Sequence, residues 1–133
     1  MVWTYEQQSG KLYAPDGTHA ATGYAGGNQG KNPEGVNNHE LQNSKGVGPL
    51  PVGFYTFCEP VAQSQLGPFA IPLLPYADNQ MYGRGGFYCH GDTPQLNHSA
   101  SEGCMIFPRS VRDEIATSGD KQLAVIYIRK GEE

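Results

Sequence analysis

The chain has 133 residues and a formal net charge of −4, with 38% hydrophobic and 17% charged residues. That length accommodates a real hydrophobic core in one domain spanning 1–133, and not two. The acidic balance, with no basic stripe, argues against nucleic acid as a partner, and no apolar run approaches the length of a membrane span.

The 18 Gly and 10 Pro predict many turns and irregular loops rather than long helices. In chain order, Val2–Glu6 and Lys11–Ala14 read as short antiparallel strands separated by Gln7-Gln-Ser-Gly10. A turn at Pro15-Asp-Gly-Thr18 then leads into a strand over Ala20–Tyr24. From Gly26 to Gly48 the sequence is rich in Gly, Asn, Gln and Lys with little apolar content, the mark of a long functional or irregular loop. His39 lies within it and reads as a solvated loop histidine.

Gly48-Pro-Leu-Pro-Val-Gly53 fixes an extended approach to a strand over Phe54–Phe57. A further strand is expected at Phe69–Leu74, and a glycine turn at Met81–Gly86 leads into another over Gly86–His90. Helix is confined to Pro108–Ser118, where Phe107, Val111 and Ile115 share a face, Ser110 and Asp113 resemble a capping box, and Gly119 ends the run. Leu123–Ile128 is apolar without alternation, as in a central strand covered on both faces. These elements predict a mainly β domain with one short helix.

The chemistry concentrates in Phe87-Tyr-Cys-His-Gly-Asp92 and Ser101-Glu-Gly-Cys-Met105. A histidine at the end of a strand, and a thiol beside glycine after a polar loop, are the parts of a cysteine acyl-transfer site. A thiol with a pKa near 8.5 is mostly protonated at neutral pH and needs a base. An imidazole titrates in the right range and can return the proton to a leaving amine, provided an acceptor holds its other nitrogen. His90 is the nearest base to Cys104 in sequence, the Gly91 carbonyl lies beside it, and Gly103 would let neighbouring amides converge on one oxyanion. Ser101 is a candidate for holding that turn.

Two other readings compete for the same residues. Cys89, His90, His98 and Cys104 are all metal-ligand types, but Cys89 and His90 are neighbours on a strand and point to opposite faces. No metal is therefore expected. Three cysteines cannot all pair within the chain, so Cys58 and Cys89 read as ordinary interior thiols, with a Cys58–Cys89 bridge the main competitor.

His90-Gly-Asp followed by Ser101-Glu-Gly-Cys-Met-Ile106 resembles the signature of the L,D-transpeptidases, and Gly48-Pro-Leu-Pro-Val-Gly-Phe-Tyr55 is similar to the strand approach of that fold. The hairpins around Trp3-Thr-Tyr5, Gly10-Lys-Leu-Tyr13 and Asp16-Gly17 resemble a small subfamily of type VI secretion effectors and phage or prophage relatives. The resemblance implies an L,D-transpeptidase-like β-sandwich or barrel and no cofactor. It also implies cysteine-dependent removal or exchange of the terminal D-amino acid of peptidoglycan stem peptides. Carried over by position, Cys104 is the nucleophile, His90 the base, Gly91 the acceptor that orients it, and Gly103 part of the oxyanion site.

Two departures stand out: Glu102 where the larger family has a second histidine, and Ile106 where it has an arginine that holds a substrate carboxylate. Substrate recognition is then expected from Tyr82, Arg84, Ser101 and Arg109, with Tyr88 nearby. The implied partners are stem peptides, an immunity protein and a component of a secretion apparatus. Met1-Val-Trp-Thr-Tyr-Glu6 lacks the layout of a secretory signal, so delivery to the periplasm or cell wall is expected by a secretion apparatus or a phage. The alternative on the same fold is a non-catalytic module that binds the wall or a phage particle.

Overall fold

The computed structural model describes residues 1–63, 66–92 and 103–129. It contains strands β1 (Val2–Glu6), β2 (Lys11–Tyr13), β3 (His19–Thr22), β4 (Tyr24–Ala25), β5 (Gly53–Phe57), β6 (Val61–Gln63), β7 (Gly67–Pro75), β8 (Tyr88–His90), β9 (Met105–Ile106) and β10 (Gln122–Ile126), with one α-helix, α1 (Arg109–Thr117). Two 3-10 turns, Pro33–Gly35 and His39–Leu41, interrupt the long loop. The expected mainly β architecture with one short helix is what the chain adopts.

The strands run in the order β3-β2-β1-β10-β5-β7-β8-β9-β4, with β6 paired to β7. β10 lies between β1, which it pairs in parallel, and β5, which it pairs antiparallel. Its Leu123, Ala124 and Val125 are consecutively buried, which is why this strand shows no polar alternation. β1 alternates instead: Trp3 and Tyr5 enter the core, and Tyr5 meets the Phe107 ring edge-on at 5.9 Å.

β7 joins the two halves of the sheet. Its C-terminal part pairs β5, Ile71 and Pro72 pair β8, and its N-terminal part pairs β6. The two outermost strands of the order, β3 and β4, are separated in sequence by Gly23 alone. The expected single strand over Ala20–Tyr24 is thus broken there, so one chain segment closes the sheet around the core. Gly23 has no room for a side chain: a Cβ would lie 2.0 Å from the Ile106 carbonyl oxygen on β9.

Trp3, Leu12, Leu50, Tyr55, Ile71, Cys89, Met105, Phe107, Ile115 and Leu123 belong to one buried cluster. Each large side chain in it contributes about 1.5–3 kcal/mol of transfer free energy. The expected capping box of α1 does not form. The helix begins at Arg109 with Pro108 as its cap, placing Ser110 inside the first turn, and the Asp113 carboxylate accepts a 3.0 Å hydrogen bond from Arg109 Nε. At the other end Ser118 leaves the helix in an extended conformation. Among the described residues no helix is long and apolar enough to cross a membrane.

Candidate active site

The site is built where β8 meets β9. These strands are parallel, with Cys89 opposite Met105 and His90 opposite Ile106, and the Phe107 N–H continues the ladder to the His90 carbonyl at 3.0 Å. The even spacing of a parallel ladder would next send the Tyr88 N–H to the Gly103 carbonyl. That carbonyl instead accepts from Leu50 N–H at 3.0 Å, and the Tyr88 N–H donates to Cys104 Sγ at 3.4 Å. The ladder therefore ends on the thiol rather than on backbone. His90 stands two residues along β8 from the amide that holds the sulfur, on the same face as Tyr88.

Gly103 makes this exit geometry. Its φ is +135°, and a Cβ there would come within 2.6 Å of Arg84 Nη2 and 2.7 Å of Phe87 Cε1. Cys104 is half-buried and unbridged, as are the other two thiols unbridged; Cys89 is fully buried and its pKa is pushed up to about 12, mainly by desolvation. No Cys58–Cys89 disulfide is present.

The His90 ring is buried, and its Nδ1 lies 2.9 Å from the Gly91 carbonyl oxygen. With Nδ1–H donating to that carbonyl, Nε2 carries the lone pair. Burial holds the imidazole below its ordinary pKa; the Gly91 carbonyl opposes this, the nearby Arg112 charge reinforces it, and Asp92 opposes it. The ring is therefore neutral at pH 7, the state a general base requires.

Arg112 crowds the backbone at position 91. Its Nε donates to the Phe107 carbonyl at 3.1 Å, its Nη1 donates to the Phe69 carbonyl, and a Cβ at Gly91 would lie 3.0 Å from its Nη2. Asp92 accepts a 2.7 Å hydrogen bond from the Tyr24 hydroxyl on the closing strand β4.

A cavity of about 280 Å³ opens beside the thiol, lined by Lys45, Gly46, Arg84, Gly85, Gly86, Phe87 and Cys104. Arg84, expected to meet substrate, lines this cavity, but its guanidinium is buried and committed to backbone. Nη1 donates to the Pro49 carbonyl at 2.8 Å and to the Gln42 carbonyl, and Nη2 donates to Gly48 at 2.9 Å. Burial lowers its pKa, while the charges of Tyr55 and Cys104 raise it, so it is a fixed positive charge in electrostatic contact with the thiol.

Tyr82 sits at the edge of this region with φ 56°, its exposed hydroxyl 3.4 Å from Gln42 Nε2. Arg109 is not among the residues that line the cavity. It lies on α1, paired with Asp113, its guanidinium 4.0 Å above the Phe69 ring. Ser101, Glu102 and His98 lie outside the described residues.

Several residues that position the site carried no visible signal in the sequence. Gln7 is fully buried, donates to the Gln42 side chain at 3.1 Å and to the Leu50 carbonyl at 2.9 Å, and meets His39 Nδ1 through its Oε1. Gln42 in turn accepts from Val52 N–H at 3.0 Å. This buried amide network fixes Gly48–Val52, whose Leu50 amide holds Gly103. His39 is consequently a packed residue, stacked on Tyr127 at 3.7 Å, and not the solvated one expected. Among the described residues no three His, Cys, Asp or Glu side chains converge on a metal-sized site.

The profile of the Tlde1 domain matches residues 20–129, which includes every described part of this site except the Gln7 anchor. No curated protein and no solved structure matches the chain.

Proposed function

The chain belongs to the Tlde1 domain family, a type VI secretion effector family, and we propose that it is a cysteine L,D-carboxypeptidase or exchange L,D-transpeptidase acting on peptidoglycan stem peptides. The observation that carries this reading is the thiol taken up by the end of the β8–β9 ladder, two residues from a buried imidazole whose Nδ1 is held by a carbonyl. The lowered His90 pKa and the fixed Arg84 charge support it, because a neutral base and a nearby cation both favour thiolate attack.

In this reading His90 Nε2 takes the Cys104 proton, and Sγ attacks the carbonyl carbon between the third-position diamino acid and the terminal D-amino acid. The oxyanion is met by backbone amides around Gly103 and Cys104. As the C–N bond breaks, the imidazolium gives its proton to the leaving amine, and a thioester remains on Cys104. Water or an amine, deprotonated by His90, then attacks the thioester, and the C–S bond breaks to regenerate the thiolate. Hydrolysis shortens the stem; an incoming D-amino acid exchanges its end. Action is in the periplasm or cell wall of a target bacterium, with delivery by the secretion apparatus and an immunity protein as the protecting partner.

The test is incubation of the purified protein, and of Cys104→Ala, with disaccharide tetrapeptide, read by mass spectrometry. Loss of the terminal D-alanine, or its exchange for added D-methionine, by the unaltered protein alone is the expected result. Unchanged substrate, with Cys104 shown to alkylate, overturns the reading in favour of a non-catalytic binding module.

A further inference from the structure

The cavity beside Cys104 has a chemical polarity that the thiol and imidazole do not explain. Two of its lining residues are cationic, and they differ in what their charge can reach. Arg84 is buried, with both Nη atoms donating to backbone carbonyls of the 42–49 segment. Lys45 is exposed, and no described residue pairs with its ammonium.

The turn that carries Lys45 is anchored. Val47 and Gly48 N–H both donate to the Ser44 carbonyl at 3.1 Å, the Gly27 N–H donates to Val47 at 2.7 Å, and Arg84 holds the Gly48 carbonyl. Gly46, with φ +78°, sets the bend immediately after the lysine. The remaining wall is Gly85, Gly86 and the Phe87 ring, which leaves room for a peptide segment and adds no charge of its own, so Lys45 is the cation with donors to spare for a ligand. An acidic chain with a net charge of −4 thus presents a local ammonium to whatever enters beside its nucleophile.

We infer that Lys45 is the carboxylate anchor of this cavity and selects an acyl donor bearing a free carboxylate on the residue attacked by Cys104. The donor side is the one concerned, because the leaving amine must lie by the imidazole and His90 does not line this cavity. This inference rests on the proposed acyl-transfer reading and narrows it: a diamino-acid residue with its side-chain carboxyl ionised is accepted, and its amidated counterpart is discriminated against. A charge-assisted hydrogen bond from an ammonium to a carboxylate supplies that difference.

Two measurements separate this inference from the reading beneath it. The first is the ratio of Cys104 alkylation rates by iodoacetate and by iodoacetamide, followed by peptide mapping so that Cys58 does not contribute. Lys45→Met is expected to lower the iodoacetate-to-iodoacetamide ratio about fivefold and Lys45→Glu further, while Lys45→Arg keeps it. An unchanged ratio in Lys45→Met overturns the anchor. The second compares free-acid and amidated tetrapeptides at the third residue. The unaltered protein prefers the free acid, and Lys45→Met removes about tenfold of that preference through KM rather than kcat. Turnover with no such preference, or a preference untouched in Lys45→Met, overturns the anchor. Inactivity on both peptides with the alkylation ratio as expected sinks the acyl-transfer reading and with it the donor selection, and supports Lys45 only as a carboxylate-binding group beside Cys104.

Discussion

His90 is where burial and chemistry meet. An imidazole enclosed by protein loses most from being charged, and the neighbouring Arg112 guanidinium adds to that cost. Its folded pKa lies below the 6.5 of a free histidine, so the neutral base persists as pH falls below that value. Activity on a stem peptide is therefore expected to hold through pH 6.5 and to fall only as pH drops through the lowered pKa. A kcat/KM profile checks this, and an acidic limb above pH 6.5 would contradict it. The same shift makes the unfolded chain bind more protons in this window, so stability also declines as pH falls through it.

Gly103 is the second residue whose identity the site requires. Its φ of +135° and the 2.6 Å approach of a Cβ to Arg84 Nη2 leave no place for a methyl group. Gly103→Ala is expected to lower stability by about 1–3 kcal/mol and turnover by about 100-fold, a 1 Å displacement of reacting groups being enough for that. Thermal melts alongside single-turnover kinetics read both. A Gly103→Ala protein with full activity would show that the ladder exit does not position the thiol.

At the scale of elements, β9 matters beyond its two residues. It pairs β8 on one side, where the thiol and imidazole stand, and β4 on the other, where the sheet closes. Gly23 is the point of contact between closure and site, because its missing side chain lets the backbone lie against the Ile106 carbonyl. Gly23→Ala is expected to cost about 3 kcal/mol. It is also expected to reduce Cys104 reactivity, while alkylation of Cys58, remote from this strand pair, is unchanged. Urea titration and site-resolved alkylation test it; a neutral effect would mean that closure at β4 is loose.

The elements that were legible in the sequence are those with a strong pattern of their own: the aromatic alternation of β1, the unbroken apolar run of β10, and the Phe107, Val111 and Ile115 face of α1. Strands β4, β6 and β9 are two or three residues long and exist because partners lie alongside, so no periodicity announces them. The capping box failed for a related reason. Two residue types at the right spacing do not fix where the first turn starts, and Arg109 took the Asp113 carboxylate.

For the whole molecule, the site is held from three directions: the β8–β9 ladder beneath it, the closing strand β4 at one side, and the Gln7–Gln42–Arg84 network behind the 42–52 segment. Of the first, only the His90-Gly91 and Gly103-Cys104 pairs were readable, as candidate acyl-transfer chemistry, and not the pairing of β8 with the two-residue β9. The third was not, since glutamines in a polar stretch look like solvated turns until the fold buries them. Arg84 illustrates the same limit. Its candidacy for substrate contact was legible, but its donors go to the Gln42, Gly48 and Pro49 carbonyls, a commitment set by loop geometry far away in sequence.

The proposed function turns on a single covalent event, acyl transfer to Cys104. The most direct measurement is intact-protein mass spectrometry of the protein quenched in acid during incubation with disaccharide tetrapeptide. The expected result is an adduct equal to the substrate minus its terminal D-alanine, mapped to Cys104 and released by hydroxylamine as a thioester should be. No adduct is expected in Cys104→Ala, and none accumulates in His90→Asn, where attack itself is lost. Loss of D-alanine with the unaltered protein but with an adduct on another residue, or undiminished loss in Cys104→Ala, would contradict it.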